Sequence, residues 1–120
     1  MTPLNAATQF INVLVKVKPG LTKGSYIFET SPAVPYVTQP DTVINYQLYD
    51  TCGHDIVFTG LTAAPNDQLS EYSLSQSKML LTLNDAVTKQ ITLDINLQFH
   101  NRKTGEVFSH DPQVQNEPQQ

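Results

Sequence analysis

Between Gln90 and His100 the chain reads QITLDINLQFH. Ile91, Leu93, Ile95, Leu97 and Phe99 alternate without a break with Thr92, Asp94, Asn96, Gln98 and His100. Successive side chains of an extended strand point to opposite faces, whereas a helix would scatter these apolar residues around its circumference. The segment predicts a strand with one face in a core and the other in water, as in an antiparallel sheet. FINVLVKVK repeats the pattern, with Ile11, Val13, Val15 and Val17 inward and Leu14 as an apolar exception on the outer face. TVINYQLYD offers Ile44, Tyr46 and Leu48 to the core. SYIFET, DIVFTGL, MLLTL and EVFSH are shorter candidates. NDQLSEYSLSQSKM alone is ambiguous, either an irregular strand or one helical turn capped by Asn66 or Ser70.

The breaks between these runs carry turn chemistry. KPGLTKG joins the first two strands, with Pro19-Gly20 suited to a turn that needs positive φ. SPAVPYVTQPD holds three prolines and predicts an extended crossing loop, since proline cannot donate to a sheet ladder. TCGH and NRKTGE read as hairpins with Gly53 and Gly105 at the strained positions. Many short strands, regular turns and no convincing helix predict an all-β, antiparallel β-sandwich of about seven strands. Residues 1–120 are read as one domain, with a short C-terminal tail from about 113. A chain of 120 residues can bury a core without metal or disulfide staples.

Charge and cysteine usage remove several functions. The net charge is −4 and the seven Lys and Arg residues are scattered, so no basic patch exists to neutralise a row of phosphates. No basic amphipathic helix or long apolar run suits a membrane. The start, MTPLNAATQFINVLVKVK, lacks the basic and apolar regions of a secretory signal. One cysteine, Cys52, forbids an intrachain disulfide and agrees with a reducing cytoplasm.

The closing segment FSHDPQVQNEPQQ places Asp111 and Glu117 each directly before a proline. Proline pushes its predecessor toward extended backbone, so both residues favour β or polyproline-like conformations. Two readings follow. In one, an edge strand leaves the sheet at Pro112 and frays at Pro118, the prolines blocking further strand addition. In the other, an arm pairs with a neighbouring subunit and Val114 is its anchor. HDPQVQNEP resembles the signature of the DP-EP family, small bacterial proteins known by those two dipeptides. DTVINYQLYDT and the strand pair around NRKTGE extend the resemblance over most of the chain. The resemblance implies an immunoglobulin-like sandwich and no established biochemical activity. It directs attention to Asp111, Pro112, Val114, Asn116, Glu117 and Pro118.

DTCGHD gathers Asp50, Cys52, His54 and Asp55 within six residues. A soft metal could use the Cys52 thiolate and the His54 imidazole, but the four-ligand spacings of a zinc site are missing. A copper set of His54, His100, Cys52 and Met79 would need three separate segments to converge. A cysteine nucleophile beside His54 lacks an oxyanion hole within a hairpin. The plainer expectation is a turn in which Asp50 and Gly53 serve the backbone. The polar face around Asp94 would join Glu106 or His110 across a hairpin, and His100 would approach Glu106. Neither arrangement demands more than a solvated sheet face. No catalytic residue, metal or cofactor is expected. The leading expectation is a non-catalytic interaction or self-assembly module, binding itself or another protein as a homo-oligomer or complex. It would use a sheet edge or the C-terminal arm. The alternative is a small-ligand binder with Tyr36 of the 31–41 loop and Cys52 and His54 of the 50–55 loop at one end of the sandwich.

Overall fold

A computed structural model describes residues 8–118. The first residues of the segment read for a secretory signal, and the last two residues of the expected tail, lie outside the described residues. The described residues form ten strands: β1 (Phe10–Pro19), β2 (Tyr26–Ser31), β3 (Tyr36–Val37), β4 (Thr42–Asp50), β5 (Ile56–Ala64), β6 (Ser73–Leu74), β7 (Leu80–Asp85), β8 (Ile91–Asn101), β9 (Val107–His110) and β10 (Gln113–Asn116). No helix occurs among the described residues. One sheet has the order β2-β1-β4-β7-β6, and the other the order β3-β10-β8-β5, with β9 also paired to β8.

The alternating runs deliver the core they promise. Val13, Val15 and Val17 of β1, Ile44, Tyr46 and Leu48 of β4, and Leu81 and Leu83 of β7 face inward from the first sheet. Leu93, Ile95, Leu97 and Phe99 of β8 meet them from the second sheet, joined by Ile56, Phe58 and Val114. Burying each such side chain contributes roughly 1.5–3 kcal/mol, so the shared core is what holds the two sheets together. Leu14 stands on the outer face, partly exposed, where the pattern put it.

Several details depart from expectation. Ten strands replace about seven because β3, β6 and β10 have two to four residues, too few to show an alternation of their own. The sheets are mixed, not antiparallel: β1 runs parallel to β4, and β3 runs parallel to β10. Alternation records which face a side chain takes and is silent on the direction of the neighbouring strand. TCGH is not a hairpin, since β4 and β5 belong to different sheets; it is a tight passage between them. Its backbone chemistry is nonetheless the expected one, with Cys52 at φ 52° and Gly53 at φ 80°. In KPGLTKG the positive φ falls on Gly24, at 83°, and not on Gly20. NRKTGE does form the β8–β9 hairpin, with Gly105 at φ 81°. SPAVPYVTQPD crosses as expected, leaving the first sheet after β2, lending β3 to the second, and returning as β4. NDQLSEYSLSQSKM is mainly irregular, with β6 as its short strand.

Candidate functional site along the C-terminal strand

β8 is flanked on one side by β5 and on the other by β9 and then β10. Leu97 faces His110, and three residues further along each strand Asp94 faces Gln113. The register therefore carries through Asp111-Pro112 without a bulge, and Val107 to Asn116 is one strand in two hydrogen-bonded parts. Pro112 still accepts from the Ile95 N–H at 2.9 Å through its carbonyl. Having no N–H, it cannot return the reciprocal bond. The segment expected as a tail from about 113 is thus β10, flanked by two strands. It does not leave the sheet at Pro112.

Side chains along this strand separate by parity. Pro112, Val114 and Asn116 are buried, and Asp111 and Gln113 are exposed. Val114 is 0% exposed and belongs to the chain's own core, so the Val114 anchor holds this fold and not a partner's. Asn116 crosses between sheets, its Nδ2 donating to Asp85 Oδ1 at 2.8 Å. The N–H of Val87 donates to the same oxygen at 3.2 Å. Burial pushes the Asp85 carboxyl above its ordinary range, opposed by those two hydrogen bonds. Burial also pushes the Tyr46 phenol well up, with the nearby Asp85 charge adding to it. Asp85 Oδ2, Asn116 Oδ1 and the Tyr46 hydroxyl have no hydrogen-bond partner among the described residues. Such a buried, partly satisfied group specifies one docking of the sheets at a cost in stability.

The outward side chains make a polar ladder with β8. Asn96 Nδ2 donates to Asp111 Oδ1 at 2.6 Å, and Gln113 Nε2 donates to Asp94 Oδ1 at 3.0 Å. Thr92 donates to Gln115 Oε1, and Gln115 Nε2 donates to Glu117 Oε1 at 3.2 Å. Asp94 therefore meets Gln113 and not Glu106 or His110. His100 faces Val107 on the outer face, while Glu106 follows Asn101 to the opposite one.

The backbone parity has a further result. Even-numbered residues turn toward β8, as Glu106 and Pro112 do when their carbonyls accept from Asn101 and Ile95. Odd-numbered residues turn away: Gln115 N–H donates to Pro35 O and Glu117 N–H to Val37 O, toward β3. β3 covers only that end. The outward backbone groups of Val107, Ser109, Asp111 and Gln113 have no hydrogen-bond partner among the described residues. Pro112 directs its missing N–H inward, so it does not guard this edge, contrary to the expectation that the prolines block strand addition.

The loop candidates do not meet. Tyr36 is exposed beside Gln115, which pairs with Thr92, whereas the 50–55 loop lies near Asn101 at the other end of β8. Nine residues of strand, roughly 30 Å, separate the two ends. Cys52 is exposed, and its N–H donates to Asp50 Oδ1 at 2.8 Å, the turn role foreseen for Asp50. That bond, with Lys16 beside it, holds the Asp50 carboxyl below its usual range. Among the described residues no three His, Cys, Asp or Glu side chains come together to hold a metal ion. His54 lines a cleft with Tyr26, Asn101 and Glu106, a group the sequence reading did not assemble. One signal was present: Asn101 continues the inward parity of Leu97 and Phe99, and so marks a polar side chain at the rim of the core.

A two-sheet all-β protein whose last strand is stapled into the core by Val114 and Asn116 is the class that this geometry defines. The DP-EP family matches residues 9–118, and the chain belongs to that family. No curated protein matches it. No helix among the described residues is long and apolar enough to cross a membrane.

Proposed function

We propose that the chain is a non-catalytic interaction module of the cytoplasm that pairs with a second copy of itself through the free edge from Val107 to Gln113. The observation that supports this reading is the unpaired, unguarded row of backbone groups at Val107, Ser109, Asp111 and Gln113. Soluble proteins usually blunt such an edge with lysine, a bulge or an outward proline, and none interrupts this one. The edge is also self-complementary. A two-fold axis at His110 sets Val107 against Gln113 and Ser109 against Asp111, so no like charges oppose one another. Edge pairing of this kind suits the immunoglobulin-like sandwich that the family resemblance implies.

Ser109→Pro tests it. The Ser109 N–H faces away from β8, so proline removes an edge donor and leaves the internal ladder unchanged. By sedimentation velocity the wild type should form a concentration-dependent dimer, and the variant should be a monomer with the same circular dichroism. A wild type that stays monomeric, or a variant that dimerises equally well, rejects the reading. A monomer that binds extended peptides at this edge would assign the edge to another protein.

A further inference from the structure

At the end of the sandwich away from Tyr36, three turns enclose a cleft of about 510 Å³. They are the β1–β2 turn, the 50–55 passage and the β8–β9 hairpin. The β1–β2 wall is closed by its own bonds, Gly20 N–H to Ser25 O at 2.8 Å and Ser25 Oγ to Thr22 O at 2.6 Å. Tyr26 is stacked on Phe108, the ring centroids 3.6 Å apart and the planes 4° from parallel. Behind it Asn101 is buried, its Oδ1 accepting from the N–H groups of Lys103 and Thr104 at 3.1 and 3.3 Å. Asn101 Nδ2 donates to the Tyr26 oxygen at 3.3 Å.

This chain of bonds ends on Glu106. Tyr26 O–H donates to Glu106 Oε1 at 2.5 Å, and Thr104 O–H donates to the same oxygen at 3.1 Å. Thr104 Oγ1 also accepts from the Glu106 N–H at 3.2 Å. The carboxylate is thereby oriented before any ligand arrives, and such preorganisation removes part of the cost of binding. The Tyr26 and Thr104 bonds hold its pKa below the usual range, with Lys23 adding a smaller effect. Oε2 accepts no hydrogen bond among the described residues and lies over Gly24, where a Cβ would sit 3.4 Å from it. That is an ordinary contact distance, and it is the φ of +83° at Gly24 that suits glycine.

We propose that this cleft binds a neutral, polyhydroxylated ligand, a mono- or disaccharide, with Glu106 Oε2 accepting from a sugar hydroxyl. Lys23 and His54 on the facing walls supply donors, and Tyr26 and Asn101 form the floor. A hydroxyl both donates and accepts, so a site that combines a fixed carboxylate with the Lys23 and His54 donors matches a vicinal diol on both counts. An anion such as phosphate would face the Glu106 charge, and a simple cation would face Lys23. A neutral ligand meets neither repulsion. The separate loops rule out a cleft shared by Tyr36 and His54, and this site retains His54 alone of that set.

The test is a titration followed by ¹⁵N–¹H NMR, with glucose, galactose, N-acetylglucosamine, maltose and cellobiose as probes and inorganic phosphate as the anionic control. One sugar should shift the amides of Gly24, Tyr26 and the 101–106 hairpin in a saturable way. Glu106→Gln should weaken its binding about tenfold by removing a charge-assisted hydrogen bond. Tyr26→Phe, which keeps the ring and loses the hydroxyl that orients Glu106, should weaken it less. Both variants should show the wild-type dichroism spectrum. Absence of saturable shifts with every sugar, tighter binding of phosphate, or shifts indifferent to Glu106→Gln would overturn the proposal.

Discussion

The C-terminal strand and the cleft at the far end of β8 are built in opposite ways. Along Val107 to Asn116 each side chain's fate follows from its own parity: Val114 and Asn116 are buried, and Gln113 and Asp111 are exposed. In the cleft nothing is local. Its central bond, Tyr26 O–H to Glu106, joins residues eighty apart in the chain. The contrast teaches that the most recognisable motif here serves the fold, whereas groups free to meet a ligand are assembled from unremarkable turns. Asp-Pro and Glu-Pro frame a strand whose inward side chains lock one sheet to the other. Glu106 carries no motif, yet its second oxygen is the accessible one.

The first way to break this contrast is to attack the lock. Asn116→Ala removes a donor from buried Asp85 and leaves a small cavity, and should cost about 2–4 kcal/mol of unfolding free energy. Urea denaturation measures it. A loss below about 0.5 kcal/mol, the scale of ordinary surface changes, would mean that Asn116 is no more structural than its exposed neighbours.

A smaller and sharper effect is expected at its partner. Burial raises the Asp85 pKa above the value near 3.8 that it has when unfolded. The native state then holds that proton more tightly than the unfolded state. Its contribution is complete below the unfolded pKa and is lost as pH rises through the folded one. Asp85→Asn should match the wild type near pH 3, where both side chains are neutral, and should be the more stable of the two at pH 7. Comparing urea midpoints of the pair across that range cancels the titration of other groups. A variant less stable than wild type at pH 7 would show that the ionised carboxylate is needed, through the Asn116 and Val87 bonds.

The smallest effect belongs to the outward ladder. Asp94 is exposed and accepts from Gln113, so Asp94→Asn should change stability by less than about 0.5 kcal/mol. A thermal midpoint lowered by many degrees would move Asp94 out of the solvated face and into the structural half of the comparison.

Much of this was legible in one dimension. The bounds of β4 and the faces of β1 and β8 follow from alternation, because burial on one face leaves a period of two. β3 was not legible as a strand, and strand was only one of two readings for the segments of β6 and β10, since two to four residues carry no period and their place depends on neighbours distant in the chain. The parallel pairing of β1 with β4 left no trace either. The proline reading failed for a related reason. That Pro112 cannot donate was evident, but whether its nitrogen faced β8 or the free edge depended on register, which Ile95 and Asn101 fix from the partner strand. Asn116 followed Val114 inward by parity, and Asp85 as its partner did not. In the cleft, Asn101 was visible as an inward polar residue, while Tyr26 and Glu106 could be joined to it only by the fold.

The most direct test of whether the Asp-Pro/Glu-Pro segment belongs to the fold is to end the chain at Ser109 and follow circular dichroism through a urea titration beside the full chain. The shortened chain loses β10, with Val114 from the core and Asn116 from Asp85, and should show no cooperative transition. A shortened chain that unfolds cooperatively at the wild-type midpoint would make the segment an appendage, and the lock between Asn116 and Asp85 incidental.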